Sequence, residues 1–297
     1  MAKHFQIDTG GTLTTGLVSY YKLEDTTDAF GTNNLTNNGS ATFGAGKVSN
    51  AVTTTASAYL NSSTLFLTSN STFSYAFWVN LTSATLQGCF ISNGTSDSLA
   101  GTGVAVGVGP SGTSATFISG TGNQLIVLCS GVAWQPTGSN IGTGWHFIVI
   151  TRDGTTMKAY IDNVQTGTLT ASTATPSTPS GSAWMGRGAN GANNNFTFAG
   201  SIDEAGFWTK VLSTQERTDL YNSGSGQTLI ASTTFTRTAS ASVSNASSRF
   251  ATAAALHGYV RGASTSVSNA AGRLATASKS FIIKIGNTIR WDFFTWD

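Results

Sequence analysis

Residues 144–164 read "GWHFIVITRDGTTMKAYIDNV". Two apolar runs alternate about a tight turn, "RDGT" at 152–155, and Asp162-Asn163 closes a second turn. Aspartate and asparagine before glycine-like positions are the residues that two-residue hairpins require. Trp145, Phe147 and Val149 fall on one side of the first strand and are expected to point inward. A hairpin this apolar cannot stand alone. It must bury a face against another layer.

The rest of the chain repeats that pattern. "GLVSYYKL" at 16–23, "VSNAVTTT", "AYLNSS", "STFSYAFWVNLT", "GCFISNG", "GVAVGVG", "TSATFISG", "NQLIVLCSG" and "AWMGRG" are all strand-length runs punctuated by glycine and small polar residues. In "STFSYAFWVNLT", Phe73, Tyr75, Phe77 and Val79 share one face while Ala76 and Trp78 take the other, so a central strand covered on both sides is expected. About twelve short strands with almost no helix predict an all-β fold, a two-sheet antiparallel sandwich. The exception lies at 213–224. Ser213 followed three residues later by Glu216 is a capping box, so "TQERTDLYNS" is expected to form about two helical turns, with Leu212 and Leu220 anchoring it.

Three stretches resemble the LamG-like jelly-roll family of the concanavalin A-like lectin/glucanase superfamily. "GLVSYYKLED" is similar to the family's opening strand. The 144–164 hairpin is similar to its central one, with Asn163 in place of the usual final glycine. "GSIDEAGFWTKVLSTQERTDLYNSG" at 200–224 is similar to its closing strand and short helix. The resemblance covers residues 16–224, between an arm at 1–15 and an extension at 225–297. It implies two sheets packed face to face, one concave. In relatives, that face or its edge loops bind sugars, sometimes with calcium; other relatives are adhesion or spacer modules.

Composition narrows the setting. Asp, Glu, Lys and Arg together make up 9% of the chain, against about 25% in ordinary soluble domains. This favours an extracellular surface or a virion. The start "MAKHFQIDTGG" lacks the apolar segment of a secretory signal, and no run approaches a membrane span. Neither membrane insertion nor nucleic-acid binding is expected at a net charge of +2. Cys89 and Cys129 both lie in apolar runs, consistent with two buried thiols or with one disulfide.

Catalysis finds little support. Asp203 and Glu204 are adjacent, so regular alternation would send them to opposite faces of one strand, and no E-x-D-x-x-E pattern occurs. One of them is expected to order a nearby loop. No G-x-S-x-G elbow and no zinc-ligand spacing occurs, and His146 reads as structural. Calcium is the one cofactor considered. Glu24, Asp25, Asp28, Asn33 and Asn34 fall in one loop, and Asn194 or Asn195 could add a ligand. The alternative is a loop held by its own Asx turns. Tyr59, Trp134, Trp184 and Trp208 are the candidate sugar platforms by residue type, while Trp78 and Trp145 read as core.

The extension differs from the rest. Residues 237–253 recur at 261–277 with 12 of 17 positions identical, and the chain ends "RWDFFTWD". Each repeat is too poor in apolar residues to fold alone. Arg237, Arg249, Arg261 and Arg273 of the repeats, and Trp291, Phe293, Phe294 and Trp296 of the ending, are the candidate assembly residues. The expected role is therefore a non-catalytic structural or adhesion protein of a virion or cell surface. It would self-associate or join other surface proteins through the extension. The alternatives are a calcium-assisted lectin module binding glycans and, last, a glycoside hydrolase.

Overall fold

The computed structural model describes residues 12–94, 102–109, 123–129, 134–169, 178–188 and 197–229. The predicted strand at 113–120, Asn194, Asn195 and all of the repeats and assembly residues lie outside them. In chain order the strands are β1 (Leu17–Tyr21), β2 (Thr36–Asn38), β3 (Thr42–Ala45), β4 (Asn50–Thr54), β5 (Tyr59–Ser62), β6 (Thr72–Leu81), β7 (Gly88–Asn93), β8 (Val104–Gly109), β9 (Gln124–Cys129), β10 (Gln135–Asn140), β11 (Gly144–Asp153), β12 (Thr156–Ile161), β13 (Val164–Thr168), β14 (Ala183–Met185) and β15 (Gly200–Trp208). One helix, α1 (Thr214–Tyr221), follows.

Two antiparallel sheets form a jelly-roll-like sandwich. The first runs β13-β12-β11-β6-β15-β4-β3, with β1 also on β15; the second runs β10-β9-β8-β7-β14-β5-β2. The expected central strand is β6, paired with β11 on one edge and β15 on the other. Phe73, Tyr75, Phe77 and Val79 enter the inter-sheet core, where Phe66 stacks on Phe207 at 4.2 Å between centroids. Asp162 and Asn163, with φ of 51° and 64°, form the turn from β12 to β13. Asparagine tolerates that left-handed backbone where a glycine was expected.

A second core lies on the outer face of the first sheet. Trp78, Phe147, Val149, Tyr160 and Trp208 pack there with Leu212 and Leu220 beside α1, and with Leu13 and Leu229. The expectation that Phe147 and Val149 point between the sheets is therefore corrected. Ile148 and Ile150 do so instead, while Phe147 lies against Tyr221 of α1 at 5.9 Å. Both faces of β11 are apolar, so periodicity alone could not choose between them.

The helix carries the expected cap. Ser213 Oγ accepts from the Glu216 amide at 3.2 Å, and Glu216 Oε2 accepts from the Ser213 amide at 2.8 Å. Asn222 ends the helix in the left-handed region. Burial raises the Glu216 carboxyl pKa, but bonds from Lys210, Thr12 and Ser213 outweigh it and hold the value low. Ser213→Ala removes one half of the box and is expected to destabilise the domain by about 1 kcal/mol, read as a lower midpoint in urea unfolding. Cys89 and Cys129 are both buried thiols, and no disulfide joins them. Cys89 faces the outside of the second sheet and Cys129 the inter-sheet core, so they stand on opposite faces.

Candidate functional site

The second sheet presents a polar, aromatic stripe on its outer face. Leu60 of β5 and Met185 of β14 point into the core, so their neighbours point outward. Strand register then lines up Thr36, Asn61 and Trp184 across β2, β5 and β14; beyond them the row continues into Ser92, Ala105 and Leu128, which are fully buried and end the stripe. Tyr59 sits two residues from Asn61 on the same face, diagonal to Trp184 and roughly 7 Å away by sheet geometry. Tyr59, Asn61 and Trp184 are all half-buried.

The stripe is braced from beneath and beside. The Arg187 guanidinium lies 4.7 Å from the centre of the Tyr59 ring, and Ser92 Oγ donates to the Arg187 carbonyl at 3.2 Å. Asn38 Nδ2 donates to Asn61 Oδ1 and, at 3.2 Å, to the Thr36 carbonyl. Two aromatic rings fixed by a sheet, flanked by amides, hydroxyls and a guanidinium, provide apolar ring faces and directional donors together. Asn38, Asn61, Thr36 and Arg187 were not singled out from the sequence. For Asn61 the signal was the alternation in "AYLNSS", where polar residues flank a core leucine; Thr36, Asn38 and Arg187 lie on other stretches and carried none.

The other two sugar candidates are elsewhere and covered. Trp208 is fully buried under the first sheet's outer core, and its Nε1 donates to the Leu13 carbonyl at 2.7 Å. Trp134 is 2% exposed, packed with Cys89, Ala105, Ile126 and Leu128. Neither offers a ring face to a ligand.

The 24–34 loop spends its acceptors on its own chain. Asp28 Oδ1 accepts from the amides of Tyr20 (3.0 Å), Phe30 (3.2 Å) and Gly31 (2.8 Å), and Oδ2 from that of Asn33 (3.2 Å). Asn34 Oδ1 takes the Asp28 amide and Asp25 Oδ1 the Thr27 amide. Asn33 Oδ1 takes the hydroxyls of Ser62 and Thr64. Only Glu24 has an exposed carboxylate with no bond of this kind. These bonds hold the loop by its own Asx-type contacts, and no group of three or more His, Cys, Asp or Glu gathers for a metal among the described residues.

Asp203 and Glu204 correct a second expectation. They do not split across the strand. The register of β15 on β6 slips between Asp203 and Gly206, and Glu204 has a φ of 50°. Ile202 and Ala205 both enter the inter-sheet core, which leaves the two acids together on the outer side. The slip falls where the neighbour of β15 changes from β4 to β1. Asp203 Oδ2 accepts the Val48 amide at 2.8 Å and so orders the β3–β4 loop, as expected of one of the pair. That approach is close. A Cβ on Gly46 would stand 2.7 Å from the same oxygen. Glu204 Oε1 accepts from Thr228 Oγ1 at 2.6 Å. Asp203 is fully buried and Glu204 nearly so. Burial pushes Asp203 up to about 8 against the pull of the Val48, Lys47 and Glu204 amides, with Glu24 adding to the rise. Burial likewise raises Glu204 well above its ordinary value, and the Thr228 bond only partly opposes it. Neither acid is open to a substrate.

His146 is structural. Its Nδ1 meets Asp162 Oδ2 at 2.8 Å and its Nε2 the Thr143 carbonyl at 3.2 Å. The Asp162 bond raises the imidazole pKa against the effect of burial.

Residues 50–216, more than half of the chain, match the Laminin_G_3 model of the concanavalin A-like lectin/glucanases superfamily. The chain belongs to this family. Among solved structures it is similar to domain 4 of AbnA, a GH43 extracellular arabinanase from Geobacillus stearothermophilus, in complex with arabinotriose. That match has a TM-score of 0.53 at 20% identity, over 68% of this chain and 97% of that one. It is also similar to the binding domain of Paraclostridial Mosquitocidal Protein 1 (TM-score 0.50, 14% identity, 71% of this chain, 53% of that one). A botulinum neurotoxin serotype D/C binding domain matches with TM-score 0.51 at 14% identity, over 71% and 53%. The chain thus spans about half of each toxin binding domain. At these identities the likeness shows the fold. No curated protein matches.

Proposed function

We propose that the sandwich is a non-catalytic carbohydrate-binding module whose site is the Tyr59–Trp184 stripe on the second sheet. The observation that carries this reading is the register that sets Trp184 against Asn61, with Tyr59 and its Arg187 brace alongside. Half-buried rings held on strands lose little freedom when a sugar stacks on them, and the neighbouring amides can take its hydroxyls. Family membership and the arabinotriose complex of the AbnA domain agree with it. No helix among the described residues is long and apolar enough to cross a membrane. A surface setting agrees with the low charge, and the virion role proposed for the extension rests on residues outside those described.

The test is retention of the full chain on immobilised arabinan, xylan, galactan and chitin, each with and without a calcium chelator. Retention on at least one polysaccharide that free oligosaccharide releases is the expected result. Retention that survives chelation agrees with a 24–34 loop closed on its own backbone, whereas loss on chelation would assign calcium to the binding. A chain retained on none of the four contradicts the saccharide reading as framed.

A further inference from the structure

A second groove lies on the other side of the sandwich, between the β11–β12 hairpin and the start of α1. It is open to solvent and has a volume of about 430 Å³, within the range of small-ligand sites. Thr151, Asp153, Thr156, Lys158 and Tyr160 form its floor, and residues 211–217 its wall. The floor residues alternate outward along the hairpin, with Thr151 opposite Lys158 and Asp153 opposite Thr156.

The unusual group here is Arg217. It is 8% exposed. A guanidinium stays charged in any protein setting, yet this one has only neutral protein partners. Nη1 donates to the Leu212 carbonyl at 2.9 Å and Nη2 to Thr214 Oγ1 at 3.3 Å. The group lies 4.0 Å from the centre of the Tyr160 ring. Its Nε finds no acceptor, and no carboxylate pairs with it among the described residues. A buried charge without a counter-charge is costly. Lys158, also without an ion pair among the described residues, adds a second positive charge to the same groove, where Asp153 is the one carboxylate among the described lining residues. The cap of α1 uses the amides of Ser213 and Glu216 and leaves those of Thr214 and Gln215 at the helix start.

We infer that this groove binds the carboxylate or sulfate of an acidic saccharide, with Arg217 and Lys158 on the anion and the Thr151, Thr156, Gln165 and Ser213 side chains on the sugar hydroxyls. The volume exceeds what a bare anion needs, and the polar floor suits a pyranose ring. The site is independent of the Tyr59–Trp184 stripe on the opposite sheet.

The test titrates the full chain at low salt with methyl glucuronide, its neutral counterpart methyl glucoside, and sodium sulfate, followed by calorimetry. Methyl glucuronide is expected to bind more tightly than either of the others and to weaken as salt is added. Lys158→Ala, an exposed change, is expected to raise its Kd about tenfold, the value of one charge-assisted hydrogen bond. Lys158 lines the groove and lies outside the Tyr59–Trp184 stripe, so a loss in Lys158→Ala belongs to the groove alone, and failure of the stripe and failure of the groove are distinguishable. Equal binding of glucuronide and glucoside, sulfate binding as tight as glucuronide, no binding of any of the three, or a Kd indifferent to Lys158→Ala would each overturn the inference.

Discussion

The domain is expected to be most stable in mildly acidic solution and to lose stability as pH rises toward 9, and Asp203→Asn is expected to reduce that loss. In the unfolded chain Asp203 releases its proton near the ordinary value of about 4. In the fold it holds the proton up to about 8, because burial disfavours the carboxylate more than the surrounding amides favour it. Between those values the folded state binds a proton that the unfolded state has released. Stability therefore falls across that window and levels off above it. A shift of this size corresponds to a difference on the order of 5 kcal/mol. Glu204, raised by burial beside it, acts in the same direction. So does His146, whose raised value means that its bond to Asp162 contributes fully below the ordinary imidazole range and is lost as pH climbs through the raised one. At the acid end Glu216 opposes them. Its lowered pKa contributes stability that disappears as pH falls below the ordinary carboxylate range. Asparagine at 203 keeps an oxygen for the Val48 amide and has no proton to lose. Urea unfolding at pH 5, 7 and 9 measures the slope. A wild-type midpoint that stays level or rises with pH would contradict the burial of the pair, as would an unchanged slope in Asp203→Asn.

Trp184→Ala is expected to weaken binding to any polysaccharide that retains the wild-type chain by at least about tenfold, with folding intact. The indole sits on the outer face of β14, while its neighbours Ala183 and Met185 hold the core, so truncation removes a platform and leaves the inter-sheet packing untouched. Aromatic anchors of this kind carry about 2 kcal/mol or more when a ligand covers them. Trp208→Ala makes the contrast. Its ring is fully buried and hydrogen-bonded to Leu13, so that change is expected to cost about 3–5 kcal/mol of stability. Affinity electrophoresis for Trp184→Ala and thermal unfolding for both variants separate the two roles.

Much of the fold could be read locally. The cap of α1 is contained in four residues, Ser213 to Glu216, and the turn at Asp162-Asn163 in two. The central position of β6 followed from aromatics on both its faces. The failures concern what covers what. Trp184 and Trp208 are the same residue type in similar strand contexts, and only the distant Leu13 carbonyl and Leu212 decide that one is core. The side-by-side placement of Asp203 and Glu204 depends on a bulge where β15 changes its neighbour from β4 to β1. Two strands far apart in sequence set that change, so simple alternation misassigned the faces. The stripe itself was half legible. Tyr59 and Trp184 were chosen by type, but their polar neighbours emerged only once register joined β2, β5 and β14.

The most direct measurement is a titration of the isotopically labelled full chain with a retained oligosaccharide, starting with arabinotriose, followed by amide and indole NMR shifts. Shifts concentrated at the Trp184 indole and at the amides of Tyr59, Asn61 and Arg187, lost in Trp184→Ala, are the predicted result. A bound sugar that instead perturbs the β11–β12 face, or leaves Trp184 unmoved, would contradict the assignment of the site.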